Sequence, residues 1–290
     1  TPLLGNDYNS KTLFGGYIHK YYYNSSIADG YTLRLIREEI ETKYKLSLQQ
    51  ALEDIKLLKG DAEKKVVYAH RKFVEPMLDY IVHDFENARI AMNDNSIGGM
   101  VVCDSSDQAK MMFEIFESKY AQPEPASLAM AAEPAASYNA KQKENSKVTS
   151  ASLILHDIGD KDERKEKVED FKAGKIDFLF VYNMLLTGFD SPRLKKLYIG
   201  RVIKAHNLLQ TLTRVNRTYK EFRYGYVVDF ADIQKEFDKT NRAYFDELQS
   251  ELGDEMEHYS NIFKSAEEIE AEIREIKEVL FKYDTINAEN

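Results

Sequence analysis

The sequence predicts an α/β fold, a mostly parallel sheet with helices on both sides. Two observations carry that expectation. Short apolar runs of the kind that form strands covered on both faces recur at 98–104 (GGMVVCD), 152–157 (SLILHD), 176–182 (IDFLFVY), 197–203 (LYIGRVI) and 225–230 (GYVVDF). Segments with helical spacing separate most of them, and parallel neighbours need such crossovers, so five strands of this type imply a three-layer arrangement.

Composition agrees with a folded domain. In 290 residues, 43% hydrophobic and 12% aromatic, the chain has material for one substantial core plus a second element. No apolar run approaches the roughly 18 residues of a membrane span and no secretory leader is visible, so a soluble, cytoplasmic protein without a membrane partner is expected. The single cysteine, Cys103, lies in the first apolar run and reads as a small core hydrophobe. The six histidines have no ligand spacing, which predicts no structural zinc or haem site.

Taken in order, residues 1–33 are a leading segment with a turn at Ala28, Asp29 and Gly30. The chain opens at Thr1 without methionine, which leads to the expectation of a piece of a longer protein. Residues 34–97 read as helical, with apolar positions Leu46, Leu48, Leu52, Ile55 and Leu58, a break at Lys59, Gly60 and Asp61, and then Phe73, Met77, Ile81, Phe85 and Ile90. This is expected to be a helical insertion or flank. After strand 98–104, Ser105 or Ser106 caps a helix over 107–120. Residues 121–150, with Pro123, Pro125 and Pro134, predict a surface loop inserted into the 98–230 domain. A helix over 161–171 follows. Residues 231–290 turn acidic and helical, with a seam of Ile269, Ile273, Ile276 and Leu280 that reads as folded back on its own domain or, second, as partner-binding.

Chemistry concentrates in two stretches, LLTGFDSP at 185–192 and QTLTRVNR at 210–217. In the first, Gly188 stands between Thr187 and Asp190 just past an apolar strand, with Pro192 barring a further ladder. That places polar groups and an approachable backbone at a strand's carboxyl end, where open α/β sheets bind ligands. In the second, Gln210, Arg214 and Arg217 stand at i, i+4 and i+7 and are predicted to share one helical stripe. Two arginines a turn apart form a fork of donors suited to a triphosphate, the alternative being surface arginines paired with acidic neighbours.

The net charge of −9 argues against nucleic acid at first, but 193–223 carries many cations against Glu221 alone. With Arg214 and Arg217 assigned to nucleotide, Arg193, Lys195 and Lys196 become the candidate DNA-phosphate contacts, a solvated surface being the alternative.

These stretches resemble motifs V and VI of superfamily 2 helicases and translocases. Their spelling is most similar to the motor of type I restriction enzyme R subunits, loosely over nearly the whole chain and specifically over 98–230. The common helicase motif VI has glycine where this chain has Thr213, a departure that weakens a generic helicase more than a restriction motor. The resemblance implies a RecA-like fold for 98–230, with motif IV at 98–104, the end of motif III at Thr1 and Pro2, and a strand at the end of the leading segment entering the second motor domain. It implies that Gly188, Asp190 and Gln210 face the nucleotide, that Arg214 and Arg217 are catalytic with one acting as finger, and that Thr187 and Ser105 lie near nucleic-acid phosphate.

The implied cofactor is ATP with Mg2+. The phosphate-gripping GxxxxGK loop, the acidic magnesium motif and a nuclease constellation are missing from these residues, so they are expected in a first RecA-like domain and a nuclease domain of the same chain. The other implied partners are double-stranded DNA and the methylase and specificity subunits of a type I complex, with the helical region after the motor meeting the other subunits. The expected function is the second motor domain of a double-stranded DNA translocase in a type I site-specific deoxyribonuclease, inactive alone. A repair helicase and a RecA-like adaptor that lost its nucleotide are the alternatives.

Overall fold

Six strands form one sheet in the computed structural model, which describes residues 15, 26, 29–40, 42–59, 64–121, 146–203, 205–231 and 266–282. They are β1 (Arg34–Glu39), β2 (Gly98–Val102), β3 (Ala151–Ile154), β4 (Phe178–Val181), β5 (Leu194–Ile199) and β6 (Tyr224–Asp229). The order is β1-β6-β5-β2-β4-β3 and every neighbouring pair is parallel. Both faces are covered. One carries α1 (Thr42–Lys59), α2 (Lys64–Tyr68), α3 (Arg71–Met92) and α4 (Ser106–Lys119), whose Phe73, Met77, Ile81, Phe85 and Phe116 pack on Val101, Phe178, Phe180 and Tyr198. The other carries α5 (Lys161–Lys172) and α6 (Ala205–Leu212), whose Phe171, Leu208 and Leu212 meet Met100, Leu179, Leu197 and Val227. Double coverage is why β2, β4 and β5 are buried at every position.

The helical reading of 34–97 fails in its first residues, because 34–39 form β1 and pair with β6 from Arg34↔Tyr224 to Glu39↔Asp229. Its charges hid it. As an edge strand β1 can place charges beside the sheet: Arg37 bridges Asp229 at 2.7 Å and Arg34 bridges Glu268 at 3.0 Å, while Leu35 enters the core. The sheet thus has six members rather than five. Helices α1 to α3 cover one face of this sheet, although Leu46 points outward at 60% exposure.

The cap of α4 is Ser105, whose hydroxyl accepts from the Gln108 amide at 3.1 Å. Helix α5 opens on a reciprocal capping box between Asp160 and Glu163. Cys103 is fully buried and burial pushes its thiol far up. Helix α7 (Ala266–Lys282) meets the sheet edge through Glu268 and Glu272, the latter accepting from the Tyr224 hydroxyl at 3.2 Å. Ile273 and Ile276 of the seam face outward, while Ile269 is partly buried. The expectations for Thr1 and Pro2, most of the leading segment, the loop at 122–145 and residues 232–265 lie outside the described residues.

Candidate functional site

The connection from β4 to β5 joins the carboxyl end of one strand to the amino end of another, across a sheet in which β2 lies between them. Residues 182–193 therefore have to cross a face of the sheet. Leu186 and Phe189 sink into the core of the α5 and α6 face, leaving Thr187, Gly188 and Asp190 exposed between and beyond them. Gly188 has φ +70° and open space where a Cβ would stand. The residue is needed for its left-handed backbone, and the free space lets another molecule approach the chain closely.

This geometry corrects the carboxyl-end expectation. The stretch leaves the carboxyl end of β4 at Tyr182, where Arg201 accompanies it by donating to the Tyr182 carbonyl at 3.2 Å and the Asn183 side chain at 2.7 Å. By Asp190 it has reached the opposite edge, four residues before β5 begins at Leu194.

Arg217 arrives at the same edge from the other stretch. Helix α6 ends at Leu212, so Gln210, Arg214 and Arg217 do not share a helical stripe. Gln210 is in the last turn, Arg214 is in the turn after it, and Arg217 lies in extended chain bridged antiparallel to Thr32 just before β1. The Val215 carbonyl would stand 2.1 Å from a Cβ on Gly225, so a glycine in β6 is required for the chain to pass there. Helical spacing continued past the helix's end, which is why periodicity alone misplaced the arginines.

The two stretches nevertheless meet. Arg217 Nε lies 3.2 Å from Asp190 Oδ1, in a pair 44% and 62% exposed. Arg214 binds inward: its Nε donates to the Gln210 carbonyl at 2.9 Å and its Nη1 to the Phe189 carbonyl. Burial, then the neighbouring Arg217, lower the Arg214 pKa against the pull of Asp190. Arg214 is thus a brace between the stretches, and Arg217 is the guanidinium turned to solvent. An exposed guanidinium beside an open glycine edge fits phosphate oxygens from one side; no group of three or more potential metal ligands occurs among the described residues.

The candidate DNA cations are elsewhere. Arg193 is 4% exposed and donates to the carbonyls of Ser96 (2.8 Å), Phe171 (2.7 Å), Ile176 (2.8 Å) and Ile97 (3.3 Å). Lys195 and Lys196 are neighbours in β5 and so point to opposite faces, both covered. Lys195 reaches the Arg217 carbonyl; Lys196 lies 3.0 Å from Glu38 and 2.6 Å from Asp84, to which Tyr198 also donates at 2.7 Å. Buried and committed, these three cations are not available to a phosphate chain. Ser105 is likewise occupied in its cap, whereas Thr187 is exposed. The place of Lys195 and Lys196 inside LKKLYI, a central strand, is the signal for burial, and a count of cations along 193–223 does not contain it.

Burial draws Lys195 from its ordinary 10.5 down to about 8. Between those values the unfolded chain binds the extra proton, so this group's penalty stands in full below about pH 8 and is relieved as pH rises. The stability of the native sequence relative to Lys195→Met is therefore expected to increase from pH 7.5 to 9.5, read by denaturant unfolding at about those two values; a flat difference would contradict the lowered pKa.

A parallel α/β domain in which two polar stretches converge at one sheet edge is thus the class that fold and site define. Residues 129–232 match the family described as type I restriction enzyme subunit R domain 3. Among curated relatives, the endonuclease subunit of type I restriction enzyme SauCOLORF180P from Staphylococcus aureus (strain COL) is 35% identical over 108 residues, 37% of this chain and 11% of that protein. That of SsaAORF53P from Staphylococcus saprophyticus is 41% identical over 71 residues, 24% of this chain and 8% of that protein. The matched part is thus about a tenth of these relatives' length. Among solved structures, a type I restriction enzyme subunit fragment from Vibrio vulnificus is similar at TM-score 0.47 and 15% identity, over 81% of this chain and 39% of that one. The helicase domain of Pyrococcus furiosus Hef has TM-score 0.35 and 11% identity, over 67% of this chain and 37% of that one.

Proposed function

We propose that this chain is the second RecA-like motor domain of a type I restriction R subunit and presents one half of an ATP site to a first motor domain of the same protein. The observation that carries the reading is the meeting of the TGFD and RVNR stretches, with Arg217 in a solvent-exposed pair with Asp190 beside the open backbone of Gly188. ATP would lie with its phosphates toward Arg217, and Mg2+ would be held by carboxylates of the first domain. Bound there, the nucleotide would supply the free energy of its hydrolysis. The residues here bind and orient: Arg217 supplies positive charge, Gly188 lets the backbone come close, and Arg214 holds Phe189 and Gln210 in register. Closing and opening of the cleft would move double-stranded DNA past loops that include Thr187, in a complex with nuclease, methylase and specificity functions.

Alone, the chain lacks the lysine loop and the magnesium carboxylates, so it is expected to hydrolyse ATP at background rate with or without duplex DNA. An R subunit carrying the same sequence should turn ATP over when DNA is added. DNA-stimulated hydrolysis by the purified chain would overturn the half-site reading.

A further inference from the structure

Lys195 lies in the sheet itself, behind the residues that would touch nucleotide. It projects from β5 on the same face as Leu197 and Ile199, is fully buried, and its Nζ donates a hydrogen bond to the backbone carbonyl of Arg217. A buried ammonium is costly to keep, and a leucine or methionine would fill the space without that penalty. Around the same carbonyl the chain is held in two further ways. Thr32 bridges Arg217, and the Leu33 amide donates to the Asn216 carbonyl at 2.6 Å. Tyr219, two residues on, sets its ring 6.0 Å from the Lys195 nitrogen and its hydroxyl 2.8 Å from Ser96. The Arg217 backbone is therefore fixed from the sheet, while its guanidinium rests on a weak exposed pair with Asp190.

We propose that Lys195 is a positioning residue for Arg217, holding its backbone from inside the sheet so that the guanidinium is presented to the phosphates at a fixed height. This rests on the nucleotide-site reading above and deepens it. Lys195 touches no substrate. It acts only through Arg217, and that gives the proposal a signature that a general loss of packing does not share: its effect disappears when Arg217 is already gone.

The test is a double-mutant cycle on DNA-dependent ATP turnover by an R subunit carrying this sequence, with Lys195→Met, Arg217→Ala and the double variant. Lys195→Met is expected to lower kcat by about tenfold or more, since small misplacement of a reacting group is costly, with KM for ATP changed less than about twofold. In the Arg217→Ala background it should lower the residual rate no further. Lys195→Gln, which keeps a donor, should recover part of the loss, and takes the place of the methionine variant in the cycle should that one fail to fold. Unchanged kcat, or an equal loss in both backgrounds, overturns the role of Lys195. Full turnover by Arg217→Ala overturns instead the nucleotide reading on which it rests.

Discussion

Replacing Arg217 with alanine in an R subunit that carries this sequence is expected to cut ATP turnover on the order of a thousandfold or more, with the melting temperature unchanged. The structure separates the two halves of that expectation. The Arg217–Asp190 pair is 44% and 62% exposed, and exposed pairs contribute about 0–1 kcal/mol, so the fold does not depend on it. The same guanidinium facing a phosphate whose bond is breaking would meet developing charge in a site closed to water, where it is worth several times more. Arg217→Lys should rescue poorly, because an ammonium does not reproduce the planar fork. Turnover assays run beside thermal melts decide the matter. Near-normal hydrolysis, or a melting temperature far below the parent, would place Arg217 among structural residues.

The second large effect falls on stability and belongs to Arg193. Its guanidinium donates to four backbone carbonyls, of Ser96, Ile97, Phe171 and Ile176, and packs 4.8 Å from the Phe171 ring. Arg193→Ala leaves those acceptors buried without their donor and opens a cavity over Phe171, and each unsatisfied group costs about 1–3 kcal/mol, so a loss of about 3 kcal/mol or more is expected in urea unfolding of the chain. A phosphate-contacting arginine on a solvated surface would behave otherwise, with stability nearly unchanged and a smaller salt dependence of duplex binding. A variant as stable as the parent would return Arg193 to the DNA path.

The contrast between these arginines shows what was legible in the sequence. Strands β2, β3, β4 and β6 could be found because covered faces write them as short apolar runs, and of β5 only Leu197–Ile199 fell in such a run, its first half carrying Lys195 and Lys196. Strand β1 could not, since an edge strand carries Arg34 and Arg37 and its period is blurred by the partners they find far along the chain in Glu268 and Asp229. Local spelling also identified which stretches meet, TGFD and RVNR, but not how. The end of α6 at Leu212 and the passage over Gly225 are set by packing against β6, a relation between distant segments that no window of residues contains. The burial of Arg193, Lys195 and Lys196 escapes the sequence for a similar reason. Counting charges along 193–223 cannot tell a lysine in a central strand from one on a surface, whereas asking which strand is central would have.

The passage at Gly225 has a mechanical side as well. With the Val215 carbonyl so near the glycine that a methyl group has no room, the arginine stretch lies on β6 as a rail lies on its sleeper, and β6 is hydrogen-bonded to β5 and β1 on its two sides. A pull on Arg217 is therefore borne by three strands together.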